Sequence, residues 1–431
     1  MPPASAAPFA LSLHVDPLAL IMIALTLFVA AIIAAFARRY LRADRNRRGF
    51  ARDFALLVAS VVLFVCAGNL VLLALGWIAS GALLARLIGH QRDWAEARAA
   101  ARRARWAFAI GDAALVAALA ILGVATGSAD LGRVIGAAGA LPALVAALAA
   151  ALLLVAAAAR CALPPFSGWL LASMTAPTPV SALMHAGLVN AGGFLLIRFA
   201  PVLHAAPGVR LAAVAIGLIA AVHGAGVMLV RPDVKRALAG STVAQMGFMI
   251  MTCGLGAYAA ALWHIVAHGL FKAWLFLGSG SAIGMTGSRA DAPAPGGAKV
   301  APMIAAITLA LALAGLVLGL RIEVPLVLGV ATALAALGGT VQAPLLPGGR
   351  LATGALVAAL AGAHLAGLTL IGRALGPDGP AVLPAPALIA LVAAFLGLWV
   401  WQARRPTLPA ALYVHLLNAG ALAPAPAGDA Q

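Results

Sequence analysis

His264, His268 and Lys272 stand four residues apart in "LWHIVAHGLFKAWLFLG", a run that is otherwise apolar. In a helix that spacing puts all three on one face. Imidazole accepts a proton on one nitrogen while donating from the other, and a buried lysine, unlike arginine, can give its proton up. The stripe therefore has the make-up of a proton relay. The alternative is that these groups tie neighbouring helices together or reach toward a membrane interface. Lysine usage supports the relay: of 28 basic residues only Lys235, Lys272 and Lys299 are lysine. No carboxylate or third histidine lies near in sequence, so no metal site is expected here.

A second set of polar residues precedes the stripe. "RCALPPFSGW" places Arg160 on an apolar segment, followed by Pro164, Pro165 and Gly168. Consecutive prolines remove backbone donors and break a helix. In a membrane such breaks are tolerated inside protein or along a cavity, where they mark transport sites. In "TAPTPVSALMHAGLVNAGG", Pro177 and Pro179 restart a helix that carries His185, a second relay candidate set against a packing histidine. "RPDVKRALAGSTVAQMGFM" puts Lys235 at a mouth, with Ser241, Thr242 and Gln245 as polar steps inward. Asp112, after "WAFAIG", falls in the first turn of an expected span, where capping a helix N-terminus competes with a role in the path. "GSGSAIG" (278–284) imitates a phosphate loop, but it ends an apolar helix with no strand before it. No Ser–His–Asp set, Walker loop or cofactor-binding cysteine pattern occurs. No residue is therefore assigned as catalytic, and no cofactor or metal is expected in this chain. Cys66, Cys161 and Cys253 read as buried free thiols.

The elements that must position these groups are membrane helices. The 431 residues are 64% hydrophobic and 9% charged, with a mean hydropathy of +1.07. So little charge could not cover a soluble surface. Runs long enough to cross ~30 Å of hydrocarbon recur along the chain. They predict an all-α polytopic membrane protein with about 13 spans, at 14–36, 53–73, 74–90, 107–126, 138–175, 178–200, 209–230, 237–256, 258–281, 301–320, 322–343, 351–373 and 384–403, broken near 160–175. The net charge of +16 would suggest nucleic acid in a soluble domain. Here the arginines cluster in short connections, 37–53 and 91–105, as the positive-inside rule asks of cytoplasmic loops, so no nucleic acid is expected. An outside N-terminus and an inside C-terminus follow. The domains read as a core at 1–283, a Gly- and Pro-rich linker at 284–300, and C-terminal spans with a short tail at 301–431.

"PTPVSALMHAG", "DVKRALAGSTVAQMGFM" and "HIVAHGLFKAWLFLGSGS" resemble the antiporter-like membrane subunits of respiratory complex I and of Mrp sodium/proton antiporters. The likeness covers about residues 14–285. Within that superfamily the chain looks most like the membrane subunit of DAB-type inorganic carbon transporters, on "PTPVSALMHAGLVNAGGFLLIRFAP", "AQMGFMIMTCGLGAYAAALWHIVAH" and "LYVHLLNAG". The resemblance implies an antiporter-like bundle in a bacterial inner membrane. It implies protons or another monovalent cation as the driving ion. It also implies a large, soluble, zinc-containing, carbonic-anhydrase-like partner at the cytoplasmic face. His264, His268 and Lys272 match the later part of the proton path. The chain departs from the superfamily pattern at two positions, where Arg160 stands for a buried lysine and Ile78 for the membrane glutamate of complex I and Mrp subunits, and from the carbon-transporter branch at two more, where Thr175 stands for an acid and Ser167 for a histidine. A lysine that cycles its proton has thus become a permanent cation without its usual acid, and complex I style long-range pumping is not expected. Three readings follow: a carbon transporter subunit, a subunit of an Mrp-type antiporter, hydrogenase or NADH-quinone oxidoreductase, and a non-conducting membrane anchor. None is an enzyme by itself.

Overall fold

The computed structural model describes residues 12–279, 349–376, 378–403 and 407–421, with six isolated positions between 306 and 317. The linker expected at 284–300 and the span at 322–343 lie outside the described residues, and the span at 301–320 lies largely outside them. Among the described residues the secondary structure is helical, with two isolated antiparallel bridges, Leu13–Ala67 and Asn69–Asp130, and no strand. Nine helical segments among them are long and apolar enough to cross a membrane. The chain is an all-α polytopic membrane protein.

The first helices are α1 (Pro17–Tyr40), α2 (Arg47–Val65), α3 (Leu70–Ile88) and α4 (Ala95–Thr126). The expected span 53–73 is corrected to α2, because Asn69 caps α3 by accepting from the Leu72 N–H at 2.8 Å. The break therefore falls at 66–69, where His14 N–H also donates to the Cys66 carbonyl at 2.7 Å. The expected loop at 91–105 is corrected as well: from Ala95 onward it is the first part of α4. Ala97, Ala100, Ala101 and Ala104 are buried while Arg98, Arg102 and Arg105 are exposed, so an alanine face seats this arginine-rich turn sequence as helix. In the connections, Asp44 meets the His90 ring at 3.0 Å. Partial burial pushes the Asp44 carboxyl up, but the Asn46 N–H and the His90 ring outweigh it and hold that carboxyl below the usual range.

Next come α5 (Leu131–Gly136) and α6 (Ala143–Arg160). The expected break follows. Ala162 sits at φ 56°, and the Leu163 N–H donates back to the Ala158 carbonyl at 2.9 Å, the left-handed closure that ends many helices. The Ala159 carbonyl, freed by the break, accepts from Trp169 Nε1 at 2.9 Å. Pro164 and Pro165 occupy the break, joined by a cis peptide. The chain resumes in α7 (Gly168–Ala172) and α8 (Thr178–Ala186), with Pro177 as its N-cap and Pro179 in its first turn. Then follow α9 (Ala191–Arg198), α10 (Ala200–His204), α11 (Pro207–Val230), α12 (Val234–Leu255) and α13 (Tyr258–Gly278). The C-terminal helices are α14 (Gly349–Leu375), α15 (Ala385–Ala403) and α16 (Ala410–Leu417).

The chain forms two compact units. One comprises Met1–Gly254, His264–Gly280 and Val414–Gln431, and holds every candidate residue named above except Lys299. The other comprises Leu255–Trp263 and Ser281–Tyr413; within it Trp263 Nε1 donates to His364 Nδ1 at 2.8 Å.

In the first unit α11 and α12 cross on glycines. A Cβ on Gly247 would lie 2.5 Å from the Gly217 carbonyl oxygen, and one on Gly217 would lie 2.5 Å from that of Gly247. Backbones approach this closely only where side chains are absent, the usual means of helix association in lipid. Gly247→Leu is expected to destabilise the bundle by about 3 kcal/mol or more through overpacking. A large drop in thermal-shift midpoint and loss of monodisperse protein would confirm it; a wild-type melt would refute it.

Candidate functional site

Two buried polar clusters are built in the first unit. The first surrounds Arg160, the last residue of α6. Alanine is the best helix former and the smallest side chain that still forms one, so the alanine-rich α6 lies close against α4. A Cβ on Gly111 would sit 3.0 Å from the Ala159 Cβ. That contact places the next residues along, Asp112 and Arg160, side by side. Arg160 is 1% exposed. Its Nη2 donates to Asp112 Oδ1 at 3.2 Å and to the Trp77 carbonyl at 3.0 Å, and its Nη1 donates to Ser80 Oγ at 3.1 Å. The guanidinium carbon lies 4.2 Å from the Trp77 ring centroid and 4.9 Å from that of Phe108.

Two expectations are corrected here. Asp112 does not cap a helix N-terminus, because α4 begins at Ala95 and places it well inside the helix. Nor does Arg160 lack an acid: Asp112 supplies it from α4, while Ile78 on α3 is 37% exposed and turned away. Trp77 and Ser80 were not singled out from the sequence. A tryptophan and a serine one turn apart on an apolar helix carry no signal of a buried cation until the partner helix is in place.

The second cluster gathers His185, Ser241, Thr242, His264, His268 and Lys272 from α8, α12 and α13. Lys272 is 1% exposed and donates to Ser241 Oγ at 2.5 Å and to the Leu238 carbonyl at 3.0 Å. Among the described residues it makes no ion pair. The same Leu238 carbonyl accepts from Thr242 Oγ1 at 3.0 Å, and Thr242 Oγ1 lies 3.0 Å from His185 Nδ1. A hydroxyl has one proton; with that of Thr242 given to Leu238, His185 Nδ1 is assigned the hydrogen and donates. That tautomer leaves Nε2 as a bare acceptor, and Nε2 is buried without a hydrogen-bond partner. His185 stacks on Phe276, with centroids 4.2 Å apart and planes 12° apart.

The two remaining histidines repeat the arrangement. His268 meets the backbone carbonyl of His185, and His264 that of Gln245. Their Nε2 atoms are likewise buried without partners, and their rings stack with centroids 5.6 Å apart. Three imidazoles thus each anchor one nitrogen to protein and present the other as a proton acceptor, and a lysine held by neutral oxygens lies one turn beyond His268 on α13. Carbonyl anchoring of one ring nitrogen is the usual way a protein sets the tautomer of the other.

The structure does not bring every candidate together. Lys235 lies in the first turn of α12, half-buried and outside the cluster. Arg160 and Asp112 form their own site. Among the described residues no group of three or more His, Cys, Asp or Glu side chains is arranged to hold a metal ion. An ion pair that sequence reading did not anticipate joins Arg198 of α9 to Asp16, the N-cap of α1, through two hydrogen bonds.

Comparison with known proteins places these features in context. Residues 67–346 match the family model described as NADH:quinone oxidoreductase/Mrp antiporter, TM, and residues 3–51 match the model of the NADH-ubiquinone oxidoreductase (complex I), chain 5 N-terminus. The chain is 41% identical over 281 residues to the probable inorganic carbon transporter subunit DabB1 of Halothiobacillus neapolitanus, covering 63% of this chain and 50% of that one. It is 36% identical over 303 residues to the NADH-quinone oxidoreductase subunit L of Mycobacterium tuberculosis, covering 70% and 48%. A chain of the Mrp complex from Dietzia sp. DQ12-45-1b superposes with a TM-score of 0.61 at 27% identity, covering 97% of this chain and 47% of that one. The chain spans about half the length of the curated relatives it matches.

Proposed function

Since the chain belongs to the NADH:quinone oxidoreductase/Mrp antiporter transmembrane family, we propose that it is the membrane subunit of an inorganic carbon transporter. It passes protons, or another monovalent cation, across a bacterial inner membrane to drive a cytoplasmic partner. The partner is a large, soluble, carbonic-anhydrase-like protein that carries zinc, and this chain carries no cofactor. Support for the carbon reading comes from relatives such as the one in Halothiobacillus neapolitanus. The conducting role rests on one observation above all: Lys272 is buried against Ser241 and Leu238 with only neutral partners. A buried ionisable group in a membrane is costly and marks a path or site. Held by neutral oxygens, its ammonium can lose a proton without breaking an ion pair.

In this account His264, His268 and His185 hand protons along through their free Nε2 atoms toward Lys272, and Thr242 fixes the His185 tautomer. Arg160 does not cycle. Paired with Asp112, it sets a permanent field at the broken helix.

His185→Phe keeps the stacking on Phe276 and removes the acceptor. It is expected to cut proton uptake into liposomes carrying the complex by about 100-fold, the scale on which one proton-transfer group acts. A pH-sensitive dye inside the liposomes reads the rate, and unaltered uptake would overturn the relay. Purification from native membranes is expected to bring the soluble zinc protein with the chain. Recovery instead of several small membrane subunits, or of iron–sulfur subunits, would overturn the carbon reading in favour of an Mrp-type or redox complex.

A further inference from the structure

Between α1 and α2 runs an apolar groove of about 1140 Å³ that the proposed ion path does not use. Its walls are mostly small and aliphatic, from residues such as Ala30, Ala34, Ala55 and Val58, with Phe50 and Phe54 toward one end. At one end stand Arg38, in the last turn of α1, and Arg47 and Arg48, which begin α2. All three are exposed, and among the described residues none of their guanidinium groups makes an ion pair or hydrogen bond. The acids of this corner are engaged elsewhere, Asp44 with His90 and Asp53 with Arg52 and Arg86. The mouth of the groove is therefore positive with nothing to balance it. At the other end Leu13 and Cys66 line the groove, and the His14 N–H donates to the Cys66 carbonyl there.

We propose that this groove binds one anionic phospholipid, its phosphate held by Arg38, Arg47 and Arg48 and its acyl chains lying between α1 and α2. Guanidinium groups match phosphate geometrically and hold it by charge-assisted hydrogen bonds. Basic residues between helices on the positive side of a membrane protein are where anionic headgroups settle. Charge favours a lipid over a helix from another subunit, which would leave the three cations unmatched unless it brought acids to that one level. The inference is independent of whether the chain conducts.

Native mass spectrometry of the full chain, titrated with phosphatidylglycerol or phosphatidylcholine, tests it. The wild type is expected to hold one phosphatidylglycerol and to prefer it over phosphatidylcholine. Arg38→Gln, Arg47→Gln and Arg48→Gln together should weaken phosphatidylglycerol binding on the order of 100-fold, at roughly a fivefold loss per cation. Ala55→Trp, which keeps the arginines and fills the groove from an exposed position, should abolish the bound lipid while the protein stays monodisperse. Three results would overturn the proposal. They are undiminished phosphatidylglycerol binding in both variants, equal affinity for the two lipids, and a cross-link from Ala34→Cys that captures a membrane helix of a partner subunit in place of lipid.

Discussion

Lys272→Ala is expected to reduce ion flux through the reconstituted complex by about 100-fold or more, with little change in the amount of folded protein. The reasoning begins with what surrounds the ammonium. Nζ donates to Ser241 Oγ and to the Leu238 carbonyl, and both can be satisfied without it. The Leu238 carbonyl still accepts from Thr242, and a serine hydroxyl in a helix can turn to a carbonyl of its own helix. No opposite charge is left stranded, so the fold loses packing and not an ion pair. The line of imidazoles, however, loses the group to which it delivers. Lys272→Arg separates charge from proton transfer, because it keeps the cation and removes the ability to release its proton. The arginine variant is expected to be as inactive as the alanine one. Wild-type flux in Lys272→Arg would show that the lysine acts by charge alone, and the relay would fall.

Asp112→Asn is expected to act on stability first. It leaves the Arg160 guanidinium, 1% exposed, in the bundle without a counter-charge. Removing one partner of a buried pair costs about 3–5 kcal/mol, because the remaining charge is stranded. The contacts with Trp77 and Ser80 and the Trp77 and Phe108 rings offset part of that penalty, so the lower end of the range is the expectation. A marked fall in the thermal-shift midpoint would report it. The second variant to make is Asp112→Asn combined with Arg160→Met, which removes both charges. It is expected to recover most of the lost stability and so to separate stranded charge from lost shape. If Asp112→Asn melts with the wild type, the ion pair does not support the bundle.

The sequence reading placed the helices well where hydrophobic length alone decides. It anticipated the break after Arg160 and the restart at Pro177, because proline removes donors whatever surrounds it. It also found the His264, His268 and Lys272 stripe, whose spacing is a property of one helix. It failed where the answer depends on which helix lies alongside. Asp112 looked like a cap because the arginine-rich segment before it read as loop. That segment is helix because its alanines, one turn apart, are buried against the bundle. Once α4 is extended, Asp112 sits beside Arg160, and the acid that seemed lost at Ile78 reappears on a different helix. The same limit hid the role of Thr242. Its hydroxyl was visible as a polar step, but that it fixes the His185 tautomer follows only from the α8–α12 contact.

The central claim is that protons cross this chain along buried imidazoles to Lys272. The most direct measurement imposes a pH difference across liposomes that contain the purified complex and follows an internal dye. The wild type is expected to dissipate the gradient well above protein-free liposomes, and the complex carrying Lys272→Ala is expected to match the protein-free rate. A wild-type rate no higher than that of protein-free liposomes, or equal rates in wild type and variant, would contradict the account and leave the chain an anchor for its partner.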